Sequence, residues 1–310
     1  MSGVKFPGKH VTDKKRHATL NKLLYSIMSN PKNHHYIPQS YQLLFSLDGK
    51  NLFYLDKKDS RILGPAGPRN FCSENFLYSL TGEAAKASDS PTLIENPMLS
   101  TIDGNFATEV GKLISDNPDK TDVSLYNLSS FFGFLSARHP SLINEFQDRF
   151  DRALIGEILK HAKGDEAAKK KAQEMGLDLD DDSLFEGLSF SESRNMTLVK
   201  MMENAQENAA CIHDSMGWLF LYSFEADVLL CDQPFIIKDD PIVIDQLFRV
   251  GDEYIILIPL SRQLCLALSS VKSDIKHKYI NSSQAMAIND LIIDNAERWV
   301  IGPTKESIHD

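Results

Sequence analysis

Helical periodicity runs through the middle of this sequence, from residue 91 to about residue 210, and no strand pattern interrupts it. Apolar residues recur three and four positions apart, the spacing of one buried helix face, in four segments: Pro97–Leu113, Asp122–Ala137, Pro140–Leu159 and Ser191–Met216. From Gly217 onward the pattern changes to short β-branched and aromatic runs, which are typical of strands. Because helices and strands fall in separate blocks, the sequence predicts an α+β fold rather than an alternating βαβ sheet.

The residues before this helical region predict a block of mixed secondary structure. After a short helix at Leu20–Met28, the predicted elements are a helix, a turn, a strand, a turn-rich stretch and a strand or extended segment: Pro38–Leu47, Asp48–Gly49, Asn51–Asp56, Gly64–Pro68 and Phe71–Leu80. Proline suits the first turn of the Pro38 helix, because the N–H that it lacks would have no helical partner there.

The residues after the helical region predict an antiparallel β-rich block with a closing helix. The predicted strands are Trp218–Phe224, Val228–Cys231, Phe235–Ile237, Tyr254–Pro259, Leu264–Leu268 and Arg298–Ile301. Leu260–Gln263 indicates a hairpin turn, and Ser282–Asp294 is predicted to be the closing helix. The charge-dense stretch Lys160–Asp182 is interpreted as a solvated helix end followed by a loop.

Length and charge limit the domain organisation and the classes of partner. The 310 residues, of which 42% are hydrophobic, suffice for a sizeable core. We predict an N-terminal arm and helix over residues 1–32, a single α+β domain over 33–302, with a helical middle at about 91–216 and a β-rich part at 217–302, and a tail over 303–310. No apolar run of about 18 residues occurs, so no membrane contact is expected. The net charge of −10 argues against a long basic surface that tracks nucleic acid, and the basic cluster Lys5–Arg16 is interpreted as a solvated arm.

The cysteines indicate a reducing compartment. None of the four is arranged in a CxxC or similar spacing, so neither a zinc ribbon nor a disulfide framework is expected. Each has an apolar or small neighbour and is predicted to be a reduced core thiol. Because the N-terminus also lacks the apolar segment of a signal peptide, the expected location is the cytoplasm.

The most distinctive local motif is the run Asn-His-His-Tyr-Ile-Pro-Gln at Asn33–Gln39. Ile37 precedes a proline and is expected to be extended, which puts His34 and His35 at the entrance of the Pro38 helix. A helix N-terminus attracts anions and disfavours protonated histidine, so a neutral imidazole would be available as a ligand or base. Neighbours in extended chain point to opposite sides, which favours one histidine at a site and one bonded into the structure. Two buried histidines bonded to backbone are an equal alternative.

Other candidate residues lie in the second half of the chain and near its middle. Asp232, in the Cys-Asp-Gln-Pro turn, would serve as a metal ligand or general base, although an aspartate at a turn more often bonds to its own backbone. Arg138 would bind a carboxylate or phosphate, or else complete its own helix C-terminus. Glu95 and Asp103 flank a helix start and would project toward one cavity, but a solvated face is the commoner arrangement for such carboxylates.

These motifs resemble those of an uncharacterised family, domain of unknown function 4238. His34–Gln42 is similar to the family's HHYxPxxYL-type opening, and Leu52–Asp56 is similar to its aromatic strand after a glycine turn. Further similarities, in the family's order, lie at Phe134–Pro140, with an Arg-x-Pro ending, at Trp218, at Cys231–Pro234, at Ile258–Ser261 and at the helix-starting Asn281. The resemblance spans about residues 33–302.

The chain also departs from the family pattern. Gln42 and Leu43 shift the usual leucine of the opening motif, Cys231 replaces a serine, and Phe235 replaces a valine. These departures bear more on the role of the turn than on that of the histidines. The family brings no established activity with it.

Two functions are compatible with these residues. The first is a phosphoester hydrolase for a phosphorylated small molecule or a nucleic acid end, in which either a divalent metal or a histidine base would activate water. The assigned residues would be His34, His35, Asp232 and Arg138 for catalysis, Tyr36, Gln39, Gln233 and Asn281 for substrate contacts, and His34, His35 and Asp232 for a divalent metal. The alternative is a non-catalytic binding or regulatory protein in which the same residues form a structural polar network. GxGxxG, GxxxxGK[ST], HExxH and GxSxG motifs are absent from the sequence.

Overall fold

The structure, a computed structural model, describes residues 32–88, 90, 92–115, 122–181, 188–238 and 254–309. It confirms the α+β class, and Asn33–Asp310 form one compact unit. The predicted helix at Leu20–Met28 and the basic cluster Lys5–Arg16 lie outside the described residues. Within the described ranges, no helix has both the length and the apolar character that crossing a membrane requires.

Short strands organise the N-terminal block. β1 (Asn33–His35) pairs antiparallel with β4 (Ser73–Asn75), and β2 (Leu52–Asp56) pairs antiparallel with β3 (Arg61–Ala66). Helix α1 (Gln39–Leu43) begins after Pro38 as predicted, but it ends at Leu43 rather than Leu47. The buried Gln42 fixes this region, because its side-chain N–H donates to the Ile37 carbonyl at 2.7 Å and its oxygen accepts from the Tyr54 hydroxyl at 3.1 Å.

The predicted turn at Asp48–Gly49 is confirmed, whereas the one at Gly64–Pro68 is largely wrong. Gly64 and Pro65 lie inside β3, at the edge of its sheet, where the N–H that proline lacks is not needed for pairing. Gly64 has a φ of +125°, and a Cβ there would lie 2.6 Å from the Leu52 carbonyl oxygen, so only glycine fits. The extended segment Phe71–Leu80 contains only the short strand β4.

The helical middle matches the predicted periodicity. Its helices are α3 (Ser100–Ser115), α4 (Leu125–Ala137), α5 (Pro140–Gly164), α6 (Glu166–Glu174) and α7 (Ser191–Ser215), and they follow a short helix that was not predicted, α2 (Gly82–Ala87). A kinked segment, Ile94–Leu99, leads into α3, and Asn96 at the kink has an extended backbone with a φ of −139° and a ψ of 119°. The stretch Lys160–Asp182 is predicted to be a solvated helix end followed by a loop, and α5 does end in it, at Gly164. The loop part is partly wrong, because the Asp165 carboxylate accepts the Ala167 N–H and starts α6.

Helices α4 and α7 pack closely against each other. Gly133 of α4 makes this possible, because a Cβ there would lie 2.2 Å from the Ala205 carbonyl oxygen of α7. The Asn208 side chain of α7 also donates to the Ser136 hydroxyl of α4 at 2.9 Å. Gly133 of α4 and the small residues Ala205 and Ala209 of α7 therefore set the distance between the two helices.

The C-terminal block adds a five-stranded sheet and completes a four-stranded one. Its elements are β5 (Gly217–Ser223), β6 (Leu230–Cys231), β7 (Ile236–Lys238), β8 (Ile255–Ser261), β9 (Leu264–Ser269), β10 (Lys276–Ile280), α8 (Ser282–Asn295), β11 (Trp299–Gly302) and α9 (Glu306–His309). The strand orders are β10-β5-β9-β8-β7 and β3-β2-β11-β6. The β8–β9 hairpin is confirmed. Strand β10 was not predicted, and it pairs parallel with β5.

The core consists of two clusters of buried apolar residues. The larger cluster joins Asn33–Gln39, here called the histidine segment, and helices α3, α4 and α7 to one face of the five-stranded sheet. The smaller cluster lies around α8 and β11. Asp232 follows β6, and Arg138 and His139 separate α4 from α5. The fold thus brings the histidine segment, the α4–α5 junction and the turn after β6 to the edge of the larger cluster.

Candidate functional site

A cavity of about 330 Å³, here named the Tyr36 cavity, opens where these segments meet. Its polar wall is formed by Tyr36, His139, Asn208, Cys211, Asp232 and Gln233. The remaining wall is mostly apolar and includes Leu135, Ile212, Met216, Phe235 and Ile256. This volume lies at the lower end of the range of about 300–1,000 Å³ that is typical of small-molecule pockets.

Asp232 is buried beside this cavity, and both its oxygens bind backbone. Oδ1 accepts the N–H of Glu297 at 2.9 Å, and Oδ2 accepts those of Arg298 at 2.8 Å and Trp299 at 2.9 Å. Burial raises the pKa of this carboxyl, against the three hydrogen bonds that favour its charged form. Asp232 therefore joins the turn after β6 to the start of β11, and it does not bond to its own turn as an Asx residue would.

His139 is the imidazole that the fold places in the cavity wall. It starts α5, where its Nδ1 accepts the Ser141 N–H at 3.3 Å, and the Gln233 amide nitrogen lies 3.1 Å from the same atom. The ring also packs edge-on against Tyr36, with 5.0 Å between the ring centroids. Burial lowers the pKa of His139, so the neutral ring is favoured.

His34 and His35 are buried, and neither lies among the described residues that line the Tyr36 cavity. Nδ1 of His34 accepts the Tyr78 N–H at 2.9 Å, and the His34 ring stacks on that of Tyr78. Nε2 of His35 lies 3.1 Å from the Arg69 carbonyl oxygen, to which it donates, and burial lowers the pKa of His35. Both histidines thus bond to backbone, which is the alternative that the sequence left open.

Arg138 is fully buried and forms an ion pair away from the cavity. Its Nη1 donates to Asp103 Oδ1 at 3.0 Å, while the Tyr78 hydroxyl donates to the Arg138 carbonyl at 3.0 Å. Nε and Nη2 make no hydrogen bond within the described part of the chain. Burial raises the pKa of Asp103, and it raises that of Glu95 to about 7 even though Arg138 opposes the shift. Glu95 and Asp103 therefore interact electrostatically with Arg138, and neither lines the Tyr36 cavity.

The three proposed metal ligands do not form a metal site. Nδ1 of His34 accepts a backbone N–H, which places the proton of the neutral ring on Nε2, and both oxygens of Asp232 accept backbone N–H groups. Across the described ranges, no group of three or more His, Cys, Asp and Glu side chains is arranged to hold a metal ion. The residues present do not fit a divalent metal shared by the histidines and Asp232.

Two of the four residues predicted to contact substrate line the Tyr36 cavity, and two lie outside it. Tyr36 and Gln233 line the cavity, whereas Gln39 is exposed at the start of α1. Asn281 starts α8, where its side chain accepts the Gln284 N–H at 3.0 Å and the Gln284 side chain accepts the Asn281 N–H. This is a capping box, which stabilises the helix N-terminus.

The sequence did not single out the contributions of α4 and α7 to the cavity. Leu135, Ser136, Asn208, Cys211 and Ile212 lie on helices whose apolar patterns indicate only core packing. His139 carried one signal, since a histidine before the proline that begins a helix stands at its N-cap.

Comparison with known proteins gives one family. Neither the curated proteins nor the solved structures contain a significant match to this chain. A family model described as "Protein of unknown function (DUF4238)" matches residues 33–306, which include every segment that forms the Tyr36 cavity. The chain therefore belongs to the family of proteins of unknown function named domain of unknown function 4238.

Proposed function

We propose that this protein is a small-molecule-binding protein whose ligand occupies the Tyr36 cavity. The main support for this proposal is that polar residues from three separate segments line one cavity. The histidine segment supplies Tyr36, the α4–α5 junction supplies His139, and the turn after β6 supplies Asp232 and Gln233. These residues are far apart in the sequence, and their side chains border one opening. His34, His35 and Arg138 would then be the structural network that supports the wall.

The composition of the wall favours a compact, mostly apolar ligand with a neutral polar group. Among the described residues that line the cavity there is no Lys or Arg, but there is one carboxylate, that of Asp232. A phosphate would therefore meet a carboxylate and no compensating cation, which disfavours phosphorylated ligands here. The amide nitrogens of Gln233 and Asn208 and Nδ1 of His139 already have partners, so a hydroxyl or amide on the ligand would bind the two amide oxygens and Nε2 of His139.

Hydrolysis of a phosphorylated small molecule or a nucleic acid end stays a prediction. Asp232 and the two histidines, which it assigns to catalysis, already bond to backbone. For the location, we retain the cytoplasm as our proposal, because all four cysteines are free thiols, as expected in a reducing compartment.

The test uses Cys211, which lines the cavity and is the exposed thiol among the four cysteines, so the prediction of a core thiol is wrong for this one. The full chain would be incubated with indole, p-cresol or benzamide, which each combine one ring with one hydrogen-bonding group. Binding would be measured by calorimetry, and the rate of Cys211 alkylation by iodoacetamide would be measured by mass spectrometry. A bound probe is expected to slow alkylation by about tenfold at saturation, since it covers the thiol.

A bulky substitution at the cavity mouth provides the control. Ile237 lines the cavity and is 64% exposed, so Ile237→Trp is expected to block the opening without disturbing the core. Ile275→Trp adds the same bulk at a site 42% exposed and outside the cavity wall. Ile237→Trp should abolish probe binding and Cys211 protection, and Ile275→Trp should preserve both. If no probe protects Cys211, or if both variants behave like the parent, the proposal is wrong.

A further inference from the structure

A second cavity, of about 570 Å³, lies against the same pair of helices and shares no lining residue with the first. We name it the Tyr126 groove. On α4 it is lined by Tyr126, Ser130 and Phe134, and on α7 by Gln206, Ala210 and Asp214. Residues four positions apart lie on one face of a helix, so two continuous helix faces form its walls. Ile102 and Asn105 of α3 complete it.

Several polar side chains in this groove are available to a ligand. Asn105, Ser130 and Gln206 line it and make no side-chain hydrogen bond with any described residue. Their neighbours differ, because the Ser129 hydroxyl donates to the Leu125 carbonyl at 2.7 Å and the Asn127 amide donates to Glu109 at 3.1 Å. Two amides and a hydroxyl together offer both donors and acceptors, which suits a ligand with several hydroxyl groups.

The groove offers little net charge. Among the described residues that line it, no Lys, Arg or Glu occurs, and His213 lies 2.8 Å from its neighbour Asp214. A phosphate or carboxylate would find no Lys or Arg to bind and would be repelled by the Asp214 carboxylate. The electrostatics therefore select against anionic ligands and favour neutral ones.

An open aromatic ring completes the arrangement. Tyr126 lines the groove, is 71% exposed and makes no ring-to-ring contact with the described aromatic residues, so most of its ring is open to a ligand. Tyrosine combines an apolar ring face with a polar hydroxyl, and it packs well against ligands that have both characters. Sugar rings are of this kind, with C–H groups on one face and hydroxyls around the edge. We propose that the Tyr126 groove is a binding site for a neutral polyhydroxylated ligand of mono- or disaccharide size.

The test measures binding of glucose, N-acetylglucosamine and maltose to the full chain by saturation-transfer NMR and calorimetry. At least one sugar should bind, and Tyr126→Ala or Gln206→Ala should each weaken its affinity about tenfold through loss of the ring face or of the amide hydrogen bonds. Tyr126→Phe, which keeps the ring, should retain most of the affinity. Val199→Ala on α7, at a residue 56% exposed and outside the groove, is the matched control and should change nothing.

Two further measurements distinguish this site from the Tyr36 cavity and from a nucleoside pocket. Ile237→Trp, which blocks the Tyr36 cavity, should leave sugar binding intact, so the two proposals fail independently. The inference is overturned if no sugar binds, if Tyr126→Ala binds sugar as well as the parent does, or if adenosine alone binds in a Tyr126-dependent manner. The last outcome would assign the groove to nucleosides instead.

Discussion

At the scale of single residues, the polar side chains of the most distinctive motifs are bonded to backbone. His34 holds the Tyr78 N–H, His35 holds the Arg69 carbonyl, and Asp232 holds three successive N–H groups. Buried backbone groups need such partners, because an unpaired one is costly. The motifs therefore connect segments distant in sequence, and the residues beside them, Tyr36 and His139, face the cavity.

The role of Asp232 can be tested by Asp232→Asn. An amide keeps one acceptor oxygen but turns an N–H₂ group toward backbone donors, so we expect unfolding to require about 2–4 kcal/mol less free energy. Urea denaturation followed by circular dichroism measures this. Asp148→Asn, at an exposed carboxylate of α5, is the control and should change stability by less than about 0.5 kcal/mol. A loss as small as that of the control would show that Asp232 is not a structural link.

Asn281 offers a second test at this scale. As the N-cap of α8 it should tolerate Asn281→Ser, which also caps, while Asn281→Ala should cost about 1 kcal/mol of stability. Thermal unfolding of both variants measures the difference. The substrate role predicted from the sequence would instead lead to equal stability and to altered ligand binding in Asn281→Ala.

At the scale of elements, the packing of α4 on α7 depends on Gly133. With a Cβ only 2.2 Å from the Ala205 carbonyl oxygen, Gly133→Ala must push the helices apart, which we expect to cost about 1–3 kcal/mol. Gly156→Ala in α5 is the matched control, because a Cβ there meets nothing within 4 Å. That control should stabilise the protein by about 0.5–1 kcal/mol, since alanine favours a helix more than glycine does. Chemical denaturation of the two variants should thus give opposite signs, and equal signs would contradict the packing argument.

At the scale of the whole molecule, Glu95 should make stability depend on pH. Its pKa is raised from 4.5 to about 7, chiefly by burial, so the folded protein keeps a proton that the unfolded chain has lost. The stability from this group is complete below about pH 4.5 and decreases as pH rises toward 7, above which it changes no further. Glu95→Gln removes this dependence and leaves those of the other buried groups in place.

The measurement is the difference in unfolding free energy between Glu95→Gln and the parent from pH 4.5 to pH 8. The parent should lose about 3 kcal/mol relative to the variant over this range. Parallel pH profiles for the two proteins would contradict the raised pKa of Glu95.

Sequence patterns predicted the fold class and most helices, because helical periodicity in residues such as Phe106, Phe131 and Leu198 directly reflects burial. Elements without such a pattern were missed. In β10, three of five residues are exposed, and β3 carries a glycine and a proline at a sheet edge. For the site, the sequence identified Tyr36, Asp232 and Gln233, but the role of Asp232 depends on N–H groups more than sixty residues away. No local pattern records such a partner.

The close crossing at Gly133 has a consequence for the two cavities. Leu135 and Ile212 face one of them, Phe134 and Ala209 face the other, and all four belong to the same helix pair. The α4–α7 pair therefore forms the wall between the Tyr36 cavity and the Tyr126 groove, and Gly133 sets the distance between its two helix backbones. Each cavity can therefore be filled or blocked from its own side of the helix pair, which is why a variant at one cavity serves as a control for the other.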